Sequence, residues 1–226
     1  WASGVGSGIT SGNDGYLYLK PKFVISTVFD NSASMKMSSG FASSFNNLLT
    51  NIFARTNQQY YAQFSFADLW TFGTSIKHET GSGFTNSGTA ITSIIGSLKL
   101  DGENSNLYDC LEYALIGQQP AAIPNSSIDS KQEMDLLSSS YISLTFIVSD
   151  ADNNTTFSLK SIEDNINYSW NNRGTKLVAF GVDDKTNTES LRQLVQNTGG
   201  LYFDASSSYW SGITTALLHG GSNTLF

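Results

Sequence analysis

Phe23-Val24-Ile25-Ser26-Thr27-Val28-Phe29-Asp30-Asn31-Ser32-Ala33-Ser34-Met35 is the stretch that decides how this chain folds. Its apolar, β-branched and aromatic opening predicts a buried strand, and the run stops abruptly at a carboxylate. Two hydroxyls follow at alternating positions, giving Asp-x-Ser-x-Ser. In an extended or tightly turned segment, residues two apart point the same way. Asp30, Ser32 and Ser34 are thereby set to converge at the carboxyl end of a strand. Three oxygen-bearing side chains at one point suit a hard cation. The same residues also allow an Asx turn that caps a following helix and binds no metal.

Outward from this stretch, strand and helix patterns alternate. Phe41, Phe45, Leu48, Leu49, Ile52 and Phe53 recur at spacings of three and four, predicting a helix over about 38–57. Tyr61 to Phe66 and Leu69 to Phe72 read as two strands, and the short Ala67-Asp68 link predicts an antiparallel hairpin. Helices are expected over Ala90 to Leu98 and Leu107 to Leu115, then an inserted surface loop over about 118–140. A strand over 142–148, a helix near 158–170, a strand over 176–182, a helix near 187–197 and a strand over 201–204 follow. Tyr209 to Leu218 is expected to close the fold as a helix. This alternation predicts an α/β fold: a doubly wound, mostly parallel central sheet with one antiparallel edge strand and helices on both faces. Ligands of such sheets bind beyond the carboxyl ends of strands, where the winding reverses. Asp30 and Asp150 both follow strand ends, and adjacent strands would turn both acids into that crevice.

The 226 residues suffice for one well-packed domain. Residues 1–20 read as a Gly/Ser-rich lead-in, 21–219 as the domain and 220–226 as a tail. Charged residues make up 14% of the chain, against an average near a quarter, so its polarity rests on Ser, Thr, Asn and Gly. A net charge of -7 disfavours nucleic acid or an anionic membrane as partner. No apolar run approaches the roughly 18 residues of a membrane span. Starting at Trp1 with no signal-peptide pattern, the chain is expected to be one domain of a larger protein. A single cysteine, Cys110, forms no internal disulfide and is expected as a buried thiol. His78 and His219 have no metal-binding spacing and are expected at the surface; Trp70, Trp170 and Trp210 are expected in the core or partly buried.

Four further segments join the first in carrying a resemblance. Leu98-Lys99-Leu100-Asp101-Gly102-Glu103-Asn104-Ser105-Asn106-Leu107-Tyr108-Asp109, Ile142-Ser143-Leu144-Thr145-Phe146-Ile147-Val148-Ser149-Asp150 and Thr175-Lys176-Leu177-Val178-Ala179-Phe180-Gly181-Val182 follow Asp30-Asn31-Ser32-Ala33-Ser34 in order. With Asn197-Thr198-Gly199-Gly200-Leu201-Tyr202-Phe203, the chain resembles the von Willebrand factor type A (integrin I-like) domain with its metal-ion-dependent adhesion site, over roughly residues 22–218. The resemblance implies a metal site of Asp30, Ser32, Ser34, Ser105 and Asp150. It implies Ser32 and Ser34 as direct ligands, with Asp30 and Asp150 holding waters. Ser105 stands where the family usually has threonine, which keeps the hydroxyl and loses the methyl that steadies its rotamer. Thr89 is the alternative donor, and Ala151-Asp152 replaces the glycine usual after the last aspartate.

The ion implied is Mg2+ or Mn2+, with Ca2+ disfavoured by the few carboxylates. The function implied is divalent-cation-dependent adhesion to a protein or surface ligand offering a carboxylate, by a monomeric domain at a cell surface or outside the cell. A structural role in a pilus or other assembly is the alternative. An enzyme is not expected, because the aspartyl phosphatases that share such a strand end carry a second acid where this chain has Ser32.

Overall fold

The run from Phe23 is extended in a computed structural model of the protein, which describes residues 23–35, 66–81, 84–85, 88–103, 106–116, 142–150, 159–182, 188–196 and 198–204. The lead-in, the expected helices over 38–57 and 209–218, the inserted loop and the tail lie outside these residues. Among the described residues six strands form one sheet: β1 (Phe23–Asp30), β2 (Phe66–Phe72), β3 (Lys77–His78), β4 (Ile142–Ser149), β5 (Lys176–Gly181) and β6 (Leu201–Asp204). Their order is β3-β2-β1-β4-β5-β6. All neighbours are parallel except β3, which pairs antiparallel with β2 at the edge.

Both faces of this sheet are covered, which is why its central strands are hydrophobic in both directions. On one face Phe23, Ile25 and Phe29 pack with Leu144, Phe146, Val148 and Phe180 against Ile91 and Ile95 of α1 (Gly88–Ser97). On the other, Val28, Trp70, Ile147 and Ala179 meet three helices, α2 (Leu107–Ile116), α3 (Leu159–Arg173) and α4 (Thr188–Gln196). Leu107, Leu111, Ala114 and Leu115 form the inward stripe of α2, while Leu191, Leu194 and Val195 form that of α4. Each large apolar side chain fully removed from water contributes roughly 1.5–3 kcal/mol. Helix α3 stops at Gly174, whose φ of 63° suits a residue without Cβ; its N–H and that of Thr175 reach back to the carbonyls of Trp170 and Ser169.

The structure corrects the expected hairpin. Ala67-Asp68 is no turn: Phe66–Phe72 is a single strand parallel to β1, with Ser26 opposite Asp68. The antiparallel partner lies downstream instead, at Lys77–His78. Aspartate disfavours strands, but here its tertiary partners override that preference. Ser26 Oγ donates to Asp68 Oδ1 at 2.6 Å, Trp70 Nε1 donates to Oδ2 at 2.9 Å, and His78 Nε2 lies 3.3 Å from Oδ2. His78 is accordingly not a surface residue; its side chain is 3% exposed and stacks on Trp70 with centroids 4.1 Å apart. Trp170 departs the other way, at 37% exposure, with Lys176 Nζ 5.7 Å from its ring centroid.

Candidate metal site

Chain order puts β2 on one side of β1 and β4 on the other, so the winding reverses between β1 and β4. Phe29 pairs with Val148, which sets Asp30 beside Ser149 and brings Asp150 just beyond, at the same sheet end. Asp30 is fully buried and Asp150 nearly so. The Asp30 carboxylate is held from two directions. Ser32 N–H donates to Oδ1 at 2.9 Å, closing an Asx turn, and Ser149 Oγ donates to Oδ2 at 2.8 Å. The turn brings the next two hydroxyls together: Ser32 Oγ and Ser34 Oγ lie 2.9 Å apart, the first buried and the second exposed. Of the five residues implied by the sequence, Asp30, Ser32, Ser34 and Asp150 therefore gather at one sheet end. Ser105 lies outside the described residues, and Thr89 belongs to the first turn of α1.

Burial pushes the Asp30 carboxyl up to about 6; hydrogen bonds from Ser32 and Ser149 oppose this, and the charge of Asp150 adds to it. A carboxylate out of water beside a second carboxylate is an arrangement that a bound cation stabilises. The donors are all oxygen, two of them neutral hydroxyls, which fits a small hard divalent ion. Among the described residues no group of three or more His, Cys, Asp or Glu side chains offers a different kind of metal centre. Cys110 is buried in α2, and burial followed by the charges of Asp68, Asp30 and Asp109 pushes its thiol well above the ordinary range. Such a thiol is inert.

The segment leading towards Ser105 is tied to this turn by backbone. Gly102 N–H donates to Asn31 O at 3.0 Å, and Ala33 N–H, between the two serines, donates to Gly102 O at 2.9 Å. Asn31 N–H donates to Phe72 O at 2.7 Å, so the ends of β1 and β2 and residues 100–103 cross at one point. Gly102 is required there because a Cβ would lie 2.8 Å from Gly73 Cα and 2.9 Å from Asn31 O. Two contributors escaped the sequence reading. Ser149 had a signal, since pairing 23–29 with 142–148 places it beside Asp30; Asn31 had none, as its partners lie in a loop with no periodic pattern.

No family model matches the sequence, and no curated protein matches it. Solved structures do share the fold. BatB from Bacteroides thetaiotaomicron superposes with a TM-score of 0.56 at 10% identity, over 86% of this chain and 96% of that one. Proximal thread matrix protein 1 from the mussel byssus, with a zinc-occupied MIDAS motif, gives 0.58 at 15% identity, over 88% of this chain and 45% of that one. The fold is von Willebrand factor type A-like. The pilus adhesin SpaC from Lactobacillus rhamnosus GG, in its open conformation, gives 0.55 at 12% identity, over 89% of this chain and 30% of that one. This chain thus spans nearly all of BatB, under half of the byssus protein and under a third of SpaC. In the type A-like sheet described above, the sheet end with Asp30 and Asp150 is the winding reversal, the general ligand position of open α/β sheets.

Proposed function

We propose that this chain is a divalent-cation-dependent binding module for adhesion or assembly, and that its metal is held by Asp30, Ser32, Ser34, Ser105 and Asp150. The observation that carries this reading is the buried Asp30 carboxylate, raised by desolvation and by Asp150, at the mouth of a serine-lined turn. Ser32 and Ser34 offer neutral oxygens, while Asp30 and Asp150 balance charge. Mg2+ or Mn2+ suits so few carboxylates better than Ca2+. When bound, the ion supplies a coordination position for an acidic group of the partner. The chain's own part is to hold the serine turn in place and to orient the Asp30 carboxylate through Ser32 N–H and Ser149 Oγ.

The partner is a protein or surface ligand offering a carboxylate, met outside the cell or at its surface. Similarity of fold to a pilus adhesin and a byssus matrix protein supports that setting. Among the described residues no helix is long and apolar enough to cross a membrane. An enzymatic role has less support, since Ser32 occupies the position where a second acid would serve phosphoryl transfer. Assembly within a pilus or other complex is the second reading, favoured by the same SpaC similarity.

Calorimetric titration of Mg2+ and Mn2+ into the metal-stripped protein tests the site. One saturable event, absent in Asp30→Asn, is the expected result. No heat from wild type, with acetate present to stand in for the partner's carboxylate, would overturn the metal reading and leave a structural module.

A further inference from the structure

We infer that Asn31 is a positioning residue that holds the serine turn against residues 100–103 and so sets the site's affinity for metal. This rests on the reading of that turn as a metal site. Asn31 is not itself among the oxygen donors assigned to the ion. Its side-chain Oδ1 accepts a hydrogen bond from Leu100 N–H at 3.1 Å, across 69 residues of sequence. Leu100 has a φ of 50°, the left-handed region that a leucine rarely enters without support from its surroundings. The bond from Asn31 is part of that support. The chain then runs beside the turn: Ser32 and Gly102 form an isolated parallel bridge, Gly102 N–H donates to Asn31 O, and Ala33 N–H donates to Gly102 O. The Asn31 side chain closes one end of this short ladder. At the other end, Glu103 N–H donates to Thr74 Oγ1 at 3.0 Å.

Ala33 separates Ser32 from Ser34, so its bond to Gly102 O holds the backbone that carries both hydroxyls. Loosening Leu100 frees Gly102, and freeing Gly102 lets the serines part. Residues acting on metal ligands at one remove commonly change affinity by about 10–100-fold. A glycine or alanine at position 31 leaves the backbone donors and acceptors of the ladder in place but removes the side-chain link that holds Leu100 against it.

The test compares wild type, Asn31→Ala and Asn31→Asp, with Mg2+ affinity by calorimetry and amide exchange at Leu100 and Ala33 by NMR in metal-free protein. Asn31→Ala is expected to speed exchange at both amides and weaken Mg2+ binding about tenfold, while amides in the centres of β1 and β4 keep their protection. Asn31→Asp retains the acceptor and is expected to keep the Leu100 amide slow and the affinity at or above wild type. Unchanged affinity in Asn31→Ala overturns the inference. So does a loss of affinity with Leu100 still protected, or one accompanied by equal loosening of β1 and β4. A wild type that binds no Mg2+ overturns the metal reading and this inference together, whereas a wild type that binds and ignores Asn31→Ala overturns this inference alone.

Discussion

Replacing Asp30 by asparagine should make the metal-free protein more stable while destroying its metal site. The magnitude follows from the carboxyl's rise from 3.8 to about 6 on folding. At about 1.4 kcal/mol per pH unit, ionised Asp30 costs the native state about 3 kcal/mol at pH 7. The sign follows from proton binding. Below pH 4 the group is protonated in both states and costs little. Between about 4 and 6 the unfolded chain ionises first, so stability falls as pH rises; above about 6 the full cost is present. Asparagine keeps an oxygen for the Ser32 N–H, and its amide is able to donate to Ser149 Oγ. In EDTA at pH 7 the variant should therefore melt about 6–12 °C above wild type, at roughly 2–4 °C per kcal/mol for a chain of this size. Its advantage should shrink by about 2.5 kcal/mol between pH 7 and pH 4. Added Mg2+ should stabilise only wild type, by about 2.7 kcal/mol at a hundred times Kd and about 4.1 at a thousand times. The order of melting should reverse between those concentrations. Thermal and urea denaturation across pH, with and without Mg2+, measure all of this. A variant no more stable than wild type in EDTA at pH 7, or an advantage indifferent to pH, would refute the reasoning.

Ser149→Ala removes a hydrogen bond that favours the ionised Asp30, so the carboxyl should rise further and Mg2+ binding should fail at a higher pH than in wild type; calorimetry from pH 5 to 8 reads the shift, and an unmoved profile counts against it. Gly102→Ala presses a Cβ onto backbone atoms of Gly73, Asn31 and Thr74 that have no rotamer to change. It should cost about 1–3 kcal/mol in urea denaturation and weaken Mg2+ binding; a neutral outcome in both would show that the crossing yields easily. Asp68→Asn turns an amide donor towards the Trp70 or Ser26 donor, for a loss of about 1–3 kcal/mol, with Mg2+ affinity unchanged because this cluster lies apart from the serine turn. Urea midpoints and calorimetry check the two halves separately.

The parts legible in the sequence were those written in local pattern. Phe23 to Phe29 and Ile142 to Val148 are dense enough in apolar residues to read as buried strands, and each runs directly into the acid that matters. The helix over 107–116 followed from the four-residue spacing of Leu107, Leu111 and Leu115, and the one over 88–97 from a weaker helical pattern, each to within a few residues at its ends. Asp68 and His78 misled because their preferences are statements about exposed residues, and each is buried only by virtue of the other and of Trp70. Ser149 and Asn31 act across 119 and 69 residues of sequence, so their roles depend on strand register and loop crossing. Nothing in a local window carries that information.

Among the described residues the strands carry two buried carboxylates, Asp30 and Asp68, and the contrast between them bears on why the serine turn is better read as a binding site than as a simple helix cap. Asp68 is settled by its surroundings: two neutral donors and a histidine close on its two oxygens, and an aromatic ring stacks on that histidine. That is how a protein stabilises a buried acid for structural ends. Asp30 receives hydrogen bonds from a backbone amide and a serine, yet burial still raises it and the acid at the adjoining strand end raises it further. An Asx turn alone needs only a surface carboxylate or an asparagine. Asparagine at position 30 would keep the turn and avoid the desolvation, so the turn by itself gives no reason for a buried charge. A cation in the serine turn, its charge balanced by Asp30 and Asp150, would give one, and the stability that Asp30→Asn is expected to recover measures what ionised Asp30 costs the metal-free fold.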